Sequence, residues 1–388
     1  MKRNKRRFKG KTLKGKIVYV LGIILIVLFS PIVIIMGLLL LASPGHLAPF
    51  SDDHGQPSEN SISEKTWVTI NGVKQGMIIR GKNTNNPVLL FLHGGPGMPE
   101  YFFIESKDIG LEDHFTVCYW EQRGCGLSYT GGMSGDSITV DQLVSDTNEI
   151  ARYLADRFGQ DQIYLMAHSW GTFIGIQAAA SAPKLYHSYI GIGQVVNTPE
   201  SERLAYEWML TQYQAMDNER RVKQLEAYDV LNAQPNTALL PYFQSTLRDQ
   251  TMHELGIGTT HKMNSVITGI FLPVMTCHAY TLSEKIYIWR AKAFLRSDTE
   301  LLDQLFTTNV PDIVPELQIP SYFMSGAYDL TVNHDLSAEY CEQLKAPAKG
   351  FYTFEQSAHS PFYEEPEQFM KVMTQDVLTG STALADIN

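Results

Sequence analysis

Cysteine is scarce in this 388-residue chain, with only four. Cys118, Cys125, Cys277 and Cys341 fall in no metal-like spacing, and the two closest in sequence flank a predicted strand end and need not meet as a disulfide. No glycine-rich nucleotide loop and no metal-ligand quartet is present, so neither a cofactor nor a metal is implied. Nothing repeats at a fixed period, and no low-complexity block exceeds the basic start, which excludes solenoids and disordered tracts. Positive charge is thin once that start is passed. Setting aside the nine Lys and Arg of residues 1–16 leaves 22 cationic against 41 acidic side chains, a net charge of −19. That balance argues against nucleic acid or an anionic membrane surface as the partner of the remaining chain. The 44% hydrophobic content is ample for one large core with an inserted subdomain.

One long apolar run is present. Residues 17–42 carry no charge, a stretch of about 26 residues that is long enough to span a bilayer with some tilt. A secretory signal has an apolar core of only ~7–15 residues, so the length favours an uncleaved signal anchor, with cleavage after Ala42-Ser43 as the alternative. Pro31 would kink this helix without preventing insertion. The basic segment 1–16 should stay cytoplasmic, which makes the chain a single-pass protein of the cell membrane with the rest of it outside. Residues 43–62, rich in Pro, Ser, Gly and His, read as a tether.

From Thr66 the pattern becomes strand-like. Trp67–Ile70 and Gly76–Ile79, joined by Asn71-Gly72, predict a hairpin with a tight turn. Val88–Leu92 and Phe115–Trp120 are continuous apolar runs suited to central strands buried on both faces. Val140–Phe158 has helical spacing, with Thr139 and Asp141 at a capped start. Tyr164–Ala167, a helix over Thr172–Ser181 and the strand Tyr189–Ile192 complete a first core part, 63–195. Helical segments such as Glu202–Tyr213 and Glu219–Tyr228 then fill 196–316, which reads as an inserted cap. Residues 317–388 return to the core with strands over Ile319–Met324 and Gly350–Phe354. Strands alternating with helices predict a largely parallel sheet.

Chemistry concentrates where strands end. Ala167-His168-Ser169-Trp170-Gly171 follows a buried strand and opens a helix, the setting of a nucleophile elbow, where a strained serine needs small residues two positions to either side. Upstream, His93-Gly94-Gly95-Pro96-Gly97 follows another buried strand. Acyl transfer requires two amides aimed at a developing oxyanion, and the amides of Trp170 and Gly95 stand in the matching places. An acid and then a histidine should follow the serine. Asp329 lies just after one predicted strand and His359 just after the next, so Ser169, His359 and Asp329 are the candidate nucleophile, base and acid.

With His93–Gly97, then Trp120-Glu121-Gln122-Arg123-Gly124-Cys125-Gly126-Leu127-Ser128, then His168–Gly171, the chain resembles the proline iminopeptidase (prolyl aminopeptidase) family of α/β-hydrolase serine peptidases over roughly residues 66–388. The resemblance implies an α/β-hydrolase fold with a mostly parallel sheet flanked by helices, an inserted helical cap, and release of N-terminal residues, often proline, from short peptides. It departs from the family pattern at Glu121, where aspartate is usual, at Leu127, where arginine is common, and at Ala167-His168, where two glycines are usual. In that family the cap supplies glutamates that bind the substrate's free amine, which makes Glu200 and Glu202 the candidates here. A carboxylic-ester hydrolase is the alternative, because histidine before the nucleophile is common in esterases and lipases of this fold. A binding protein that kept the fold without catalysis is the third reading, opposed by the complete set of triad residues. Arg123 reads as an anchor for the loop after its strand, and Cys125 as a thiol near the site whose modification would inhibit.

Overall fold

The computed structural model describes residues 13–51, 56 and 58–387. Residues 1–12 of the basic segment and residues 52–55 and 57 of the expected tether lie outside the described residues.

Eight strands form one sheet in the order β1-β2-β4-β3-β5-β6-β7-β8. They are β1 (Ile62–Ile70), β2 (Val73–Gly81), β3 (Val88–Leu92), β4 (Thr116–Trp120), β5 (Ile163–His168), β6 (Tyr186–Ile192), β7 (Ser321–Gly326) and β8 (Lys349–Phe354). The first two strands form an antiparallel hairpin that pairs Ile70 with Val73. Between them Asn71 and Gly72 both have positive φ, 46° and 76°. This is the two-residue turn that Asn-Gly favours, because its twist matches that of the strands. β2 is antiparallel to β4, and every later pairing is parallel.

Side chains alternate across this sheet with a period of two, which separates the core into two layers. Leu90, Leu92, Leu165, Ala167 and Phe323 pack on one side with the helices Val140–Phe158 and Trp170–Ser181. Leu89, Phe91, Met166, Ile192 and Met324 pack on the other with Phe362 and Phe369. The Val140–Phe158 helix starts where its cap predicts, with the Thr139 side chain accepting from the Gln142 amide. Between β6 and β7 the described residues contain helices and no strand, including Thr198–Ala215, Thr246–Glu254 and Leu282–Ser297.

A helix over Leu13–Leu41 precedes the sheet. Its Ile17–Leu41 stretch has mean hydropathy 3.1 and is unburied, which is long and apolar enough to cross a membrane. Its end is clamped to the helical insertion. Lys285 Nζ donates to Ala42 O (2.7 Å), Ser43 Oγ (2.9 Å) and Met275 O (2.8 Å), and Gly45 N donates to His278 O (3.0 Å).

Candidate active site

The carboxyl ends of the parallel strands collect every residue that sequence reasoning placed at the centre of the site, as the topology of such sheets requires. β5 runs directly into Ser169, which has φ 55° and ψ −126°, and the helix begins at Trp170. A non-glycine residue in that region is strained and persists only when its surroundings enforce it. The surroundings here are tight. A Cβ on Gly171 would enter the Leu92 carbonyl oxygen, and Gly175 packs against the Ala167 methyl, leaving no room for a larger side chain at 167. The Ser169 amide donates to Ile192 O at 2.9 Å, tying the turn to the end of β6.

Asp329 follows β7 and is fully buried. Its Oδ1 accepts from Val332 N (2.9 Å) and its Oδ2 meets His359 Nδ1 at 2.8 Å. Gly193, immediately after Ile192, packs so closely on this pair that a Cβ there would lie 3.0 Å from His359 Cε1 and 3.3 Å from Asp329 Oδ2. Ser169 and His359 line the same cavity, although among the described residues no hydrogen bond joins the serine hydroxyl to the imidazole. Such contacts commonly tighten only with substrate in place.

The loop of His93–Gly97 and the elbow are bridged by one side chain. Gln122 Nε2 donates to His93 O (2.7 Å), its backbone N donates to His93 Nε2 (3.2 Å), and its Oε1 accepts from Trp170 Nε1 (3.0 Å). His93 Nδ1 in turn meets Gly94 O at 2.8 Å, so the ring is neutral with its proton on Nδ1; burial pushes its pKa down accordingly. Gly95 lines the cavity, and Trp170 opens a helix, where amides have no intrahelical acceptor. Arg123 points elsewhere, into a buried bidentate pair with Asp146 (2.6 and 2.8 Å), which anchors the loop after β4. Glu121 accepts from Tyr280 Oη (2.6 Å) and from Leu127 N, and burial pushes its carboxyl up to about 7. Cys125 is a free, fully buried thiol raised well above its ordinary pKa by burial, which makes it a poor nucleophile. The other three cysteines are also free and buried.

The glutamates expected to bind a substrate amine do not stand in the cavity. Glu202 is buried in a bidentate pair with Arg248, whose Nε lies 2.7 Å from Oε2 and whose Nη2 meets Oε1. Both of its oxygens are taken up by the guanidinium, so neither is free to accept from an ammonium. Glu200 is exposed in the first turn of its helix, where its amide donates to the Asn197 cap. Its acidity suits that helix end.

Two carboxylates that sequence reasoning passed over do line the cavity, Glu100 and Asp249. Glu100 Oε1 lies 2.7 Å from His168 Nδ1, and Glu100 Oε2 is buried without a hydrogen-bond partner. The other His168 nitrogen, Nε2, lies 2.7 Å from the His359 carbonyl oxygen. With an acceptor at each nitrogen, His168 is satisfied as an imidazolium. Burial works against that charge, but the Glu100 carboxylate and the two hydrogen bonds outweigh it, and the pKa is raised. The residue that replaces a glycine of the elbow therefore fastens the backbone of His359. Glu364, its carboxyl pushed up to about 7 by burial, holds the same loop by accepting from Ala358 N (2.8 Å). One legible signal was the histidine itself, because an imidazole buried beside a nucleophile needs partners for both nitrogens.

Comparison with known proteins agrees with this architecture. Residues 87–366 match the family model described as alpha/beta hydrolase fold. The chain is 30% identical over 324 residues to "Probable aminopeptidase YbaC" of Bacillus subtilis (strain 168), covering 82% of this chain and 98% of that one. It is 28% identical over 316 residues to a proline iminopeptidase of Clostridioides difficile (strain 630), covering 80% and 96%. Among solved structures, the proline iminopeptidase of Mycobacterium smegmatis superposes with a TM-score of 0.60 at 17% identity, over 81% of this chain and 98% of that one. The chain thus belongs to the α/β-hydrolase family, and within it stands with the proline iminopeptidases and their aminopeptidase relatives.

Proposed function

We propose that this protein is a membrane-anchored serine aminopeptidase that releases N-terminal residues from short peptides through an acyl-enzyme. The observation that carries the reading is the buried 2.8 Å Asp329–His359 hydrogen bond beside Ser169, which is held at positive φ on the rim of the cavity. Ser169 attacks the scissile carbonyl as His359 takes its proton, and Asp329 fixes the tautomer and stabilises the imidazolium. The amides of Trp170 and Gly95 hold the oxyanion, His359 returns the proton to the leaving amine, and water then cleaves the ester. The helical insertion caps this centre. The helix Leu13–Leu41 anchors the protein, with the basic segment in the cytoplasm and the hydrolase domain outside. With Glu202 spent on Arg248, the substrate ammonium goes to the free Oε2 of Glu100.

A carboxylic-ester hydrolase is the second reading, favoured by the absence of Glu200 and Glu202 from the cavity wall. The two separate on the full-length protein in detergent, by measuring kcat/KM for proline anilide, its N-acetylated twin and a short-chain aryl ester, each against Ser169→Ala. A free-amine advantage of more than about tenfold, roughly 1.4 kcal/mol, with turnover lost in the variant, supports the aminopeptidase. Indifference to acetylation with the ester dominant supports the esterase. Wild-type rates in Ser169→Ala overturn the mechanism.

A further inference from the structure

The roof of the cavity carries two cations that, among the described residues, make no ion pair. Lys292 and Arg296 lie one turn apart on the helix Leu282–Ser297, hence on one face of it, and both line the cavity. Lys292 sits against the oxyanion loop, since a Cβ on Gly97 would come within 3.1 Å of its Cα. Its ammonium stands 5.9 Å from the Trp289 ring centre, and the Arg296 guanidinium 5.7 Å from that of Phe243.

Among the described residues, neither has a carboxylate at ion-pair distance or a hydrogen bond from its charged group. Other buried arginines are fully engaged: Arg123 with Asp146, Arg221 with Glu254, and Arg248 with Glu202 and Asp249. Of the two cavity carboxylates, Glu100 meets His168 through one oxygen, and the half-exposed Asp249 sits at 3.4 Å from Arg248, and neither forms an ion pair with Lys292 or Arg296. In a protein of net charge −10, this helix face has a local surplus of positive charge. Burial is the largest influence on both side chains and lowers the pKa of each, while the nearby Asp249 carboxylate pulls the other way and offsets it only in part. A partly desolvated cation without a partner is costly, and an anion on the ligand removes that cost.

We propose that Lys292 and Arg296 form a carboxylate subsite that takes the free C-terminus of a two- or three-residue peptide, an assignment of substrate class that rests on the aminopeptidase reading above. The guanidinium grips the carboxylate through two N–H donors and the ammonium adds a point charge. A cavity of about 440 Å3 suits a ligand of this size. The subsite confines the enzyme to short peptides, because in a longer chain the carboxylate lies beyond its reach.

The test uses the full chain in detergent with Pro-Ala and Pro-Ala amide. Charge-assisted hydrogen bonds of this kind predict a kcat/KM advantage of about tenfold or more for the free acid. In Lys292→Met/Arg296→Met that ratio should fall to near one, with an unfolding temperature no lower than wild type, since an unpaired charge has been removed. Equal rates on the two peptides, or a ratio that survives the double substitution, overturn the subsite while leaving the aminopeptidase reading intact. If no peptide is cleaved, calorimetric binding to Ser169→Ala protein decides separately. A preference for the acid that depends on the two cations sustains the subsite although the peptidase reading has failed, and no preference rejects both.

Discussion

Replacing Glu202 by Gln separates a structural carboxylate from a substrate-binding one. Glu202 and Arg248 are 1% and 7% exposed at their side chains and meet through two charge-assisted hydrogen bonds. Removing one partner of such a pair costs about 3–5 kcal/mol, because the other charge is left buried and uncompensated. Asp249, 3.4 Å from Arg248 Nη1 but 42% exposed, recovers part of this, so the lower end applies, ~3 kcal/mol. At roughly 1.5 °C per kcal/mol for a domain above about 300 residues, Glu202→Gln should lower the unfolding temperature by about 4–5 °C. Replacing both partners, Glu202→Gln with Arg248→Met, should recover most of the loss, since an apolar substitute for a buried pair is close to neutral. Thermal unfolding of the full chain reads the stability, and the ratio of free-amine to N-acetyl substrate reads recognition. An unchanged unfolding temperature together with a lost amine preference would falsify the ion-pair account and restore Glu202 to the substrate.

Four further outcomes are expected. Asp329→Asn should lower kcat by about 10³–10⁴ with folding preserved, as the imidazole loses its tautomer control, and a drop under tenfold would remove Asp329 from the mechanism. Gly193→Ala should slow turnover while costing ~1–3 kcal/mol of stability, because the residue has φ 57° and its new methyl would press on His359; crystallography or histidine NMR should find the ring displaced. His168 has a folded pKa above its ordinary 6.5, so its contribution is fully present below that pH and is lost as pH rises through the folded value. The urea midpoint gap between wild type and His168→Gln should therefore not widen, and should finally narrow, as pH is raised above 6.5, and a gap that grows with rising pH would refute the imidazolium. Glu100→Gln should leave the ester rate closer to wild type than the free-amine peptide rate, and the opposite order would take the amine away from Glu100.

How much of this was legible in the chain follows from the range of the forces involved. Val88–Leu92 and Val140–Phe158 coincide with the elements formed, because continuous apolar strands and capped amphipathic helices are specified by residues a few positions apart. The elbow was legible for the same reason, since its demand for small residues at 167 and 171 is steric and local. The Asp329–His359 contact was foreseeable from the order of strand ends, which a parallel sheet brings to one edge. Glu202 was misread because nothing in its own helix announces Arg248, which lies 46 residues away. Its first-turn position suited a substrate contact and a scaffold equally.

By itself, then, the sequence determined a doubly covered, mostly parallel sheet, a serine on a strained turn and an apolar helix able to cross a membrane, all written in periodicity and short motifs. The tertiary structure alone decided which charges face the cavity. It commits Glu202 to Arg248, joins Glu100 to His168 across 68 residues, and leaves Lys292 and Arg296 without an ion pair among the described residues. The physical reason is that hydrophobic pattern acts along the chain, whereas the state of a buried charge depends on whichever partner folding brings within a few ångströms.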